Sequence, residues 1–408
     1  MTRTAVTRLE DVDLLSPDVY TEGAPHDMFA LLRREAPLFR HRDPDGPDFW
    51  AVTRYRDVVA VSRDFASFSS WRRGALATEV PDSALEQQRL MMLNMDPPRH
   101  TKLRGLVNKG FTPRMIAELT ERVRGICAAL VEHAGERGEC DFVAEVAAEL
   151  PLQVIAEMLG VPAEDRHQVY EWSNRLVGGT DPDLRPPVDD GQDAAMQMYL
   201  YANEMALQRR ERPRDDLVSV LMQAEVDGER LTEMEFDLFF MLLAVAGNET
   251  TRNLISGGML ALVEHPDQRR RLVADPSLLP AAVEEMLRWV TPVMNFRRTA
   301  TRDCQVAGQP IAEGDKVILY YPSANRDEAV FDSADRFDVG RDPNEHLGFG
   351  GGGPHFCLGA NLARLEIRLM FEALLRRFPE AELAGPVRRL RSNFLSGIKS
   401  MPVRLQPS

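Results

Sequence analysis

Several things are scarce in this chain, and each scarcity excludes something. The longest apolar run, Leu238 to Ala246, falls well short of the roughly 20 residues that a bilayer-spanning helix needs. The N-terminus, MTRTAVTRLEDVDLLSPD, alternates charged and apolar residues and reads as neither a signal peptide nor an anchor. Cysteine occurs only at Cys127, Cys140, Cys304 and Cys357, with no C-x-x-C pair, which argues against a disulfide framework and a structural zinc. With no export signal, a reducing cytoplasm is the expected compartment. Basic residues are outnumbered, 49 Lys and Arg against 63 Asp and Glu, and the formal charge of −14 argues against nucleic acid as a general partner. Low-complexity linkers and repeats are missing too. The 408 residues, 44% of them hydrophobic, therefore read as one large domain, residues 1–408.

What is present converges on LGFGGGGPHFCLGANLARLEIRL, Leu347 to Leu369. Leu358, Leu362, Leu365 and Leu369 follow the three-and-four spacing of a helix face, so Cys357 is expected at a helix start. The free amide groups there favour a thiolate, which is a nucleophile or a metal ligand. Gly350 to Gly353 are followed by Pro-His-Phe and not by Gly-Lys-Ser/Thr, so a phosphate-gripping loop is not the reading. A single sulfur suits an iron whose other equatorial ligands come from a cofactor.

Phe349, Gly350, Gly353, His355, Cys357 and Gly359 resemble the haem-ligand loop of the cytochrome P450 monooxygenases. Phe349 lies eight residues before the cysteine where the family usually has seven, so the loop carries one extra residue. The resemblance extends over most of the chain and is to the soluble bacterial, actinobacterial-like class. It implies a mainly α protein with small β-sheets, the triangular-prism fold. It also implies haem b, with Cys357 as the iron ligand.

Other stretches are weighed the same way. Residues 25–36 read as a short amphipathic helix, LFRHRDPDGPDFWAVT as two strands around Asp43 to Pro47, and Arg56 to Arg63 as a helix. Ser69 to Met95 has no clean period; in the family such a segment covers the substrate pocket. His100 and Arg104 lie four apart on one helix face, by themselves an ordinary basic surface. The resemblance makes them a propionate pair, with Arg298 and His355 as further propionate partners. A polar break, GGTDPDLRPP at 178–187, reads as a surface connection or a site cover.

Thr232 and Glu235 form a capping box, and Pro266 lies past the expected end of a long central helix, about 232–264, on the order of 50 Å long. AGNETT, residues 246–251, breaks helix propensity in its middle. Taken singly, Glu249 reads as a solvated helix face and Thr250 as a satisfied core hydroxyl. The resemblance implies instead a widened helix over the haem, where Gly247 leaves room for oxygen and the catalytic Glu249 and Thr250 handle protons. Glu285 and Arg288, one turn apart, resemble the family's structural pair, with Arg336 or Arg341 as third member. SNFLSGIKSMPVRL reads as a hairpin at Gly397 whose tip enters the pocket.

The function implied is a haem-thiolate monooxygenase hydroxylating an unactivated C–H bond of a hydrophobic small molecule such as a steroid or terpenoid. It would use dioxygen and two electrons from NAD(P)H, relayed by a ferredoxin and its reductase. Its rivals are oxidative coupling or peroxide-driven oxidation on the same haem, a non-catalytic haem sensor, and a cysteine hydrolase.

Overall fold

A computed structural model describes residues 6–177, 181, 183, 192–225 and 228–406. The chain forms two compact units, each assembled from separated segments: 1–101, 284–357 and 389–396 make one, and 102–283, 358–388 and 397–408 the other.

The first unit is built on a five-stranded sheet. In spatial order its strands are Leu38–His41, Phe49–Val52, Lys316–Tyr320, Asn295–Ala300 and Phe68–Ser69. The first two are the expected pair around Asp43 to Pro47. Phe49–Val52 runs parallel to Lys316–Tyr320, with Ala51 opposite Ile318, and the other pairings are antiparallel. Lys316–Tyr320 is buried along its whole length because alternate side chains point to opposite faces, each of which has a core. Ile318 and Tyr320 join Phe29, Leu32 and Phe49, whereas Val317 and Leu319 join Val52, Val58 and Phe68. The expected helices are His26–Glu35 and Tyr55–Arg63.

The same unit holds a buried ion cluster centred on Glu285, which is fully buried, as is Arg288. Arg288 grips the carboxylate with two bonds of 2.8 Å, and its Nη1 also reaches Asn325 O and Ala334 O. The third member is Arg341, whose Nε donates to Glu285 Oε2 at 3.1 Å. Arg336 contributes only its backbone carbonyl, while its side chain is exposed. The sequence alone could not separate these two arginines, because the loop decides which guanidinium turns inward.

The second unit is chiefly helical: Pro113–Arg137, Glu149–Leu159, Arg166–Val177, Gln192–Glu211, Glu233–Glu264 and Ala360–Arg377 are its longer helices. A three-stranded sheet, Glu139–Asp141, Pro402–Gln406 and Glu380–Leu383 in that order, completes it. The long helix begins as expected, with both halves of the Thr232–Glu235 capping box formed. It is α-helical without interruption through 246–251, so the widened turn expected there does not occur. A π-helical turn lies instead at Val143–Ala147.

The C-terminal hairpin also differs from expectation. Leu395 bridges to Val293, and Ile398–Ser400 pairs with the short strand Arg388–Arg389. Gly397 is not a tip; a Cβ there would lie 2.8 Å from Asn253 Oδ1 of the long helix, so close approach requires the glycine. Of the 178–187 break, only Asp181 and Asp183 are among the described residues, and both pair with Lys399, at 2.9 and 2.6 Å.

Arg288→Ala is expected to lower folding stability by about 3–5 kcal/mol, because it strands a buried carboxylate. Arg341→Ala should cost less, since Arg288 remains, and Arg336→Ala should stay within about 0.5 kcal/mol. Denaturant melts of the three variants check this ranking.

Candidate active site

The cysteine loop is shaped by close packing against the helix Tyr55–Arg63. Gly350, Gly352 and Gly353 hold φ values of +97°, +85° and +76°, a region that only glycine enters cheaply. A Cβ on Gly351 would lie 2.4 Å from Ser62 Oγ, and one on Gly353 2.6 Å from Ser62 O. The four-glycine run is thus required by backbone shape and lack of space. Cys357 N–H donates to Phe349 O at 3.1 Å, which closes the loop over the extra residue. Phe349 also packs its ring edge-on against Phe356, at 6.3 Å between centroids.

Cys357 itself is exposed at the loop's end. It stands two residues before Gly359, the N-cap of Ala360–Arg377, and so precedes the helix instead of opening it. A turn through Leu358 and Gly359 intervenes. Around Gly359, a Cβ would meet nothing within 4 Å.

Four polar residues of the first unit gather near this loop's histidine. The rings of His100 and His355 lie 4.5 Å apart, and His355 Nε2 is 3.3 Å from Ser70 Oγ. Ser70 N–H donates to Asp96 Oδ1 at 2.8 Å, and the Asp96 carboxylate also acts electrostatically on Arg298. Sequence reasoning missed Ser70, which lies in the stretch without a period, and Asp96, just past its end; neither carries a signal of its own.

Arg298 is the telling member. Its guanidinium is buried, donates Nη1 to Arg297 O at 2.7 Å, and contacts no carboxylate among the described residues. Burial lowers its pKa from the usual value, with Tyr321 and Asp96 opposing that shift. A buried cation without an ion-pair partner is costly, and an anionic ligand would relieve the cost. Arg104 lies one helical turn from His100, half-buried.

Glu249 and Thr250 belong to the second unit. Glu249 is buried, not solvated: its Oε2 pairs closely with Arg252 Nη2, and Arg252 Nη1 reaches Asn174 Oδ1 at 3.1 Å. Glu249 Oε1 is buried with no hydrogen-bond partner among the described residues. Burial pushes its carboxyl above the ordinary range, and the Arg252 guanidinium opposes that rise. Arg252 and Asn174 were not anticipated, although the i, i+3 spacing of Glu249 and Arg252 was visible.

Thr250 is half-buried and donates its hydroxyl to Ala246 O at 2.7 Å, so it competes for the helix's own carbonyl as its residue type suggests. Between Phe236 and Leu262, Ala246 alone is exposed. An accessible alanine in so buried a helix marks a surface ready to be covered by a flat apolar group. Gly247 has a packing reason of its own, because a Cβ there would approach Ile155 Cδ1 at 3.3 Å.

This donor set fits an iron porphyrin: an exposed thiol for the metal, and a buried arginine and two neighbouring imidazoles for the carboxylates. Among the described residues no cluster of three or more His, Cys, Asp or Glu side chains could hold a metal ion. Nor is any described helix long and apolar enough to cross a membrane.

Comparison with known proteins gives a consistent answer. The family pattern described as cytochrome P450 matches residues 152–392. The chain is 45% identical over 405 residues to a steroid C26-monooxygenase of Rhodococcus jostii, covering 97% of this chain and 84% of that protein. It is 43% identical over 408 residues to a methyl-branched lipid omega-hydroxylase of Mycobacterium tuberculosis, covering 97% and 95%. The fold superposes with a TM-score of 0.91 on Mycobacterium marinum cytochrome P450 CYP268A2 in complex with pseudoionone, at 41% identity and 98% and 100% coverage. A Novosphingobium aromaticivorans relative, CYP108D1, gives 0.87 at 35% identity over 97% of each chain. With an exposed loop thiol, a buried arginine that meets no carboxylate among the described residues, and kinship over nearly the whole chain in agreement, this chain belongs to the cytochrome P450 family, haem b monooxygenases that act on hydrophobic substrates.

Proposed function

We propose that this monooxygenase hydroxylates the end of a branched apolar chain, on a steroid or a lipid, with Cys357 as its iron ligand. The observation that carries the substrate reading is the pair of relatives matched over nearly the whole chain, one named for steroid C26 and the other for the omega position of methyl-branched lipids. Bound haem supplies the iron at which dioxygen is activated, with the thiolate donating electron density. The chain's own residues hold and protonate. Arg298, His100, His355 and Arg104 bind the propionates, while Phe349 and Gly359 shape the cysteine side of the cofactor site.

Glu249 holds a proton beyond the usual carboxylate range because of its burial, and Arg252 fixes the carboxyl in one orientation. Thr250 Oγ1, released from Ala246 O, delivers a proton to the reacting oxygen, and Gly247 keeps that stretch of helix narrow. Bacterial members generally take electrons from redox partners. A ferredoxin with an NAD(P)H-dependent reductase is the pair proposed here, in the cytoplasm.

Four variants test these assignments. Cys357→Ser is expected to abolish the red-shifted Soret band of the reduced carbon monoxide complex; a band that survives places the ligand elsewhere. Arg298→Ala should weaken haem binding by about 1.5–3 kcal/mol, roughly 10- to 100-fold, read by haem transfer to an acceptor protein. Thr250→Ala should still bind substrate and consume NAD(P)H but couple less of it to product, releasing hydrogen peroxide. Glu249→Gln should slow turnover by about 100-fold or more. Substrate class is checked by product analysis with a cholestane-type sterol and a methyl-branched fatty acid; oxidation confined to the ring carbons of the sterol counts against the chain-end reading.

A further inference from the structure

The helix Gln192–Glu211 is apolar on two opposite sides. Ala194, Met198, Ala202 and Met205 are buried in their own unit. On the other side Met196, Leu200 and Leu207 are 57%, 59% and 53% exposed, and no other described helix leaves three large apolar side chains in solvent. With Asn203 between them, their spacings are four, three and four. That is the alternation of a two-helix seam, in which successive positions stay on one line facing a partner. A surface helix serving only its own fold carries polar residues on this side. Met234, half-exposed, follows the Glu233 that Asn203 hydrogen-bonds, and widens the strip.

We propose that two copies of this chain associate through this strip, laying the helices antiparallel. Charge selects the occupant and the direction. Asp193 stands exposed at the first turn of the helix and Arg210 at its last. Setting Met196 against Leu207 of a second copy puts Leu200 on Asn203 of that copy and brings Asp193 to Arg210. Symmetry repeats each of these contacts, so one seam makes both ion pairs. A parallel arrangement sets Asp193 against Asp193 and Arg210 against Arg210, which repels. An anionic bilayer is a poor alternative occupant, because Glu204 and Glu211 are exposed beside the seam and the whole chain carries −14. Three apolar side chains per copy make a small interface, so association is weak and concentration-dependent.

Sedimentation velocity of the haem-loaded protein, from about 1 μM to about 500 μM, is the test. The expected result is a dimer that grows with concentration and whose dissociation constant rises about tenfold or more in Leu200→Glu and in Leu207→Glu. Asp193→Arg and Arg210→Asp should each weaken the dimer, and the double variant should recover it. Unchanged absorption spectra and melting temperatures in these surface variants establish that they fold. A protein that remains monomeric at every concentration overturns the proposal. So does a dimer whose dissociation constant the leucine and charge variants leave unmoved. Cosedimentation of a monomeric protein with phosphatidylcholine–phosphatidylglycerol vesicles, lost in Leu200→Glu, would assign the strip to lipid and overturn it as well.

Discussion

One buried carboxylate holds the cysteine side of this protein in order. Glu285 is removed from water, so its charge is tolerable only while Arg288, Arg341, Asn344 and the Asp338 amide all point at it. Satisfying Glu285 therefore fixes the path of the chain from Asn325 to Asn344. Asn325 extends the constraint, because its carbonyl accepts from Arg288 while its Oδ1 accepts the Leu347 amide at 2.7 Å. Leu347 opens the glycine-rich loop, so the position of Cys357 descends by a short run of hydrogen bonds from a buried ion cluster.

The surroundings of Glu249 follow a different physical logic. There the buried acid, Glu249, has one oxygen committed to Arg252 and the other left without a partner among the described residues. Such a carboxyl is costly to ionise and easy to hold in one pose. The cost is carried by a helix whose apolar surroundings are otherwise complete, which is why a polar sequence such as AGNETT survives in the middle of it.

Features set by local spacing were legible in the sequence: the Thr232 capping box, the first two strands, the helix face after Cys357, and the one-turn pairs Glu285–Arg288 and His100–Arg104. What was not legible depended on groups distant in sequence. Arg341 displaced Arg336 because a loop turned it inward. Ser70 reached His355 from a stretch without periodicity, held by Asp96 just beyond that stretch. The widened turn expected at 246–251 is absent because the helix absorbs Gly247 by packing it on Ile155, and Gly397 answers to Asn253 and not to a hairpin's geometry. Composition sees none of these, since each is a statement about which surfaces meet.

The sheet of the first unit carries a consequence for how the protein is made. Its strand Phe49–Val52 emerges early from the ribosome, yet its parallel neighbour, Lys316–Tyr320, is encoded more than half the chain later. At roughly 5–20 residues per second the earlier strand waits on the order of tens of seconds with Phe49, Ala51 and Val52 uncovered. Throughout that interval one edge of the nascent sheet is open to pairing with any other chain. The long separation makes protection of that edge during synthesis a requirement distinct from the stability of the finished fold.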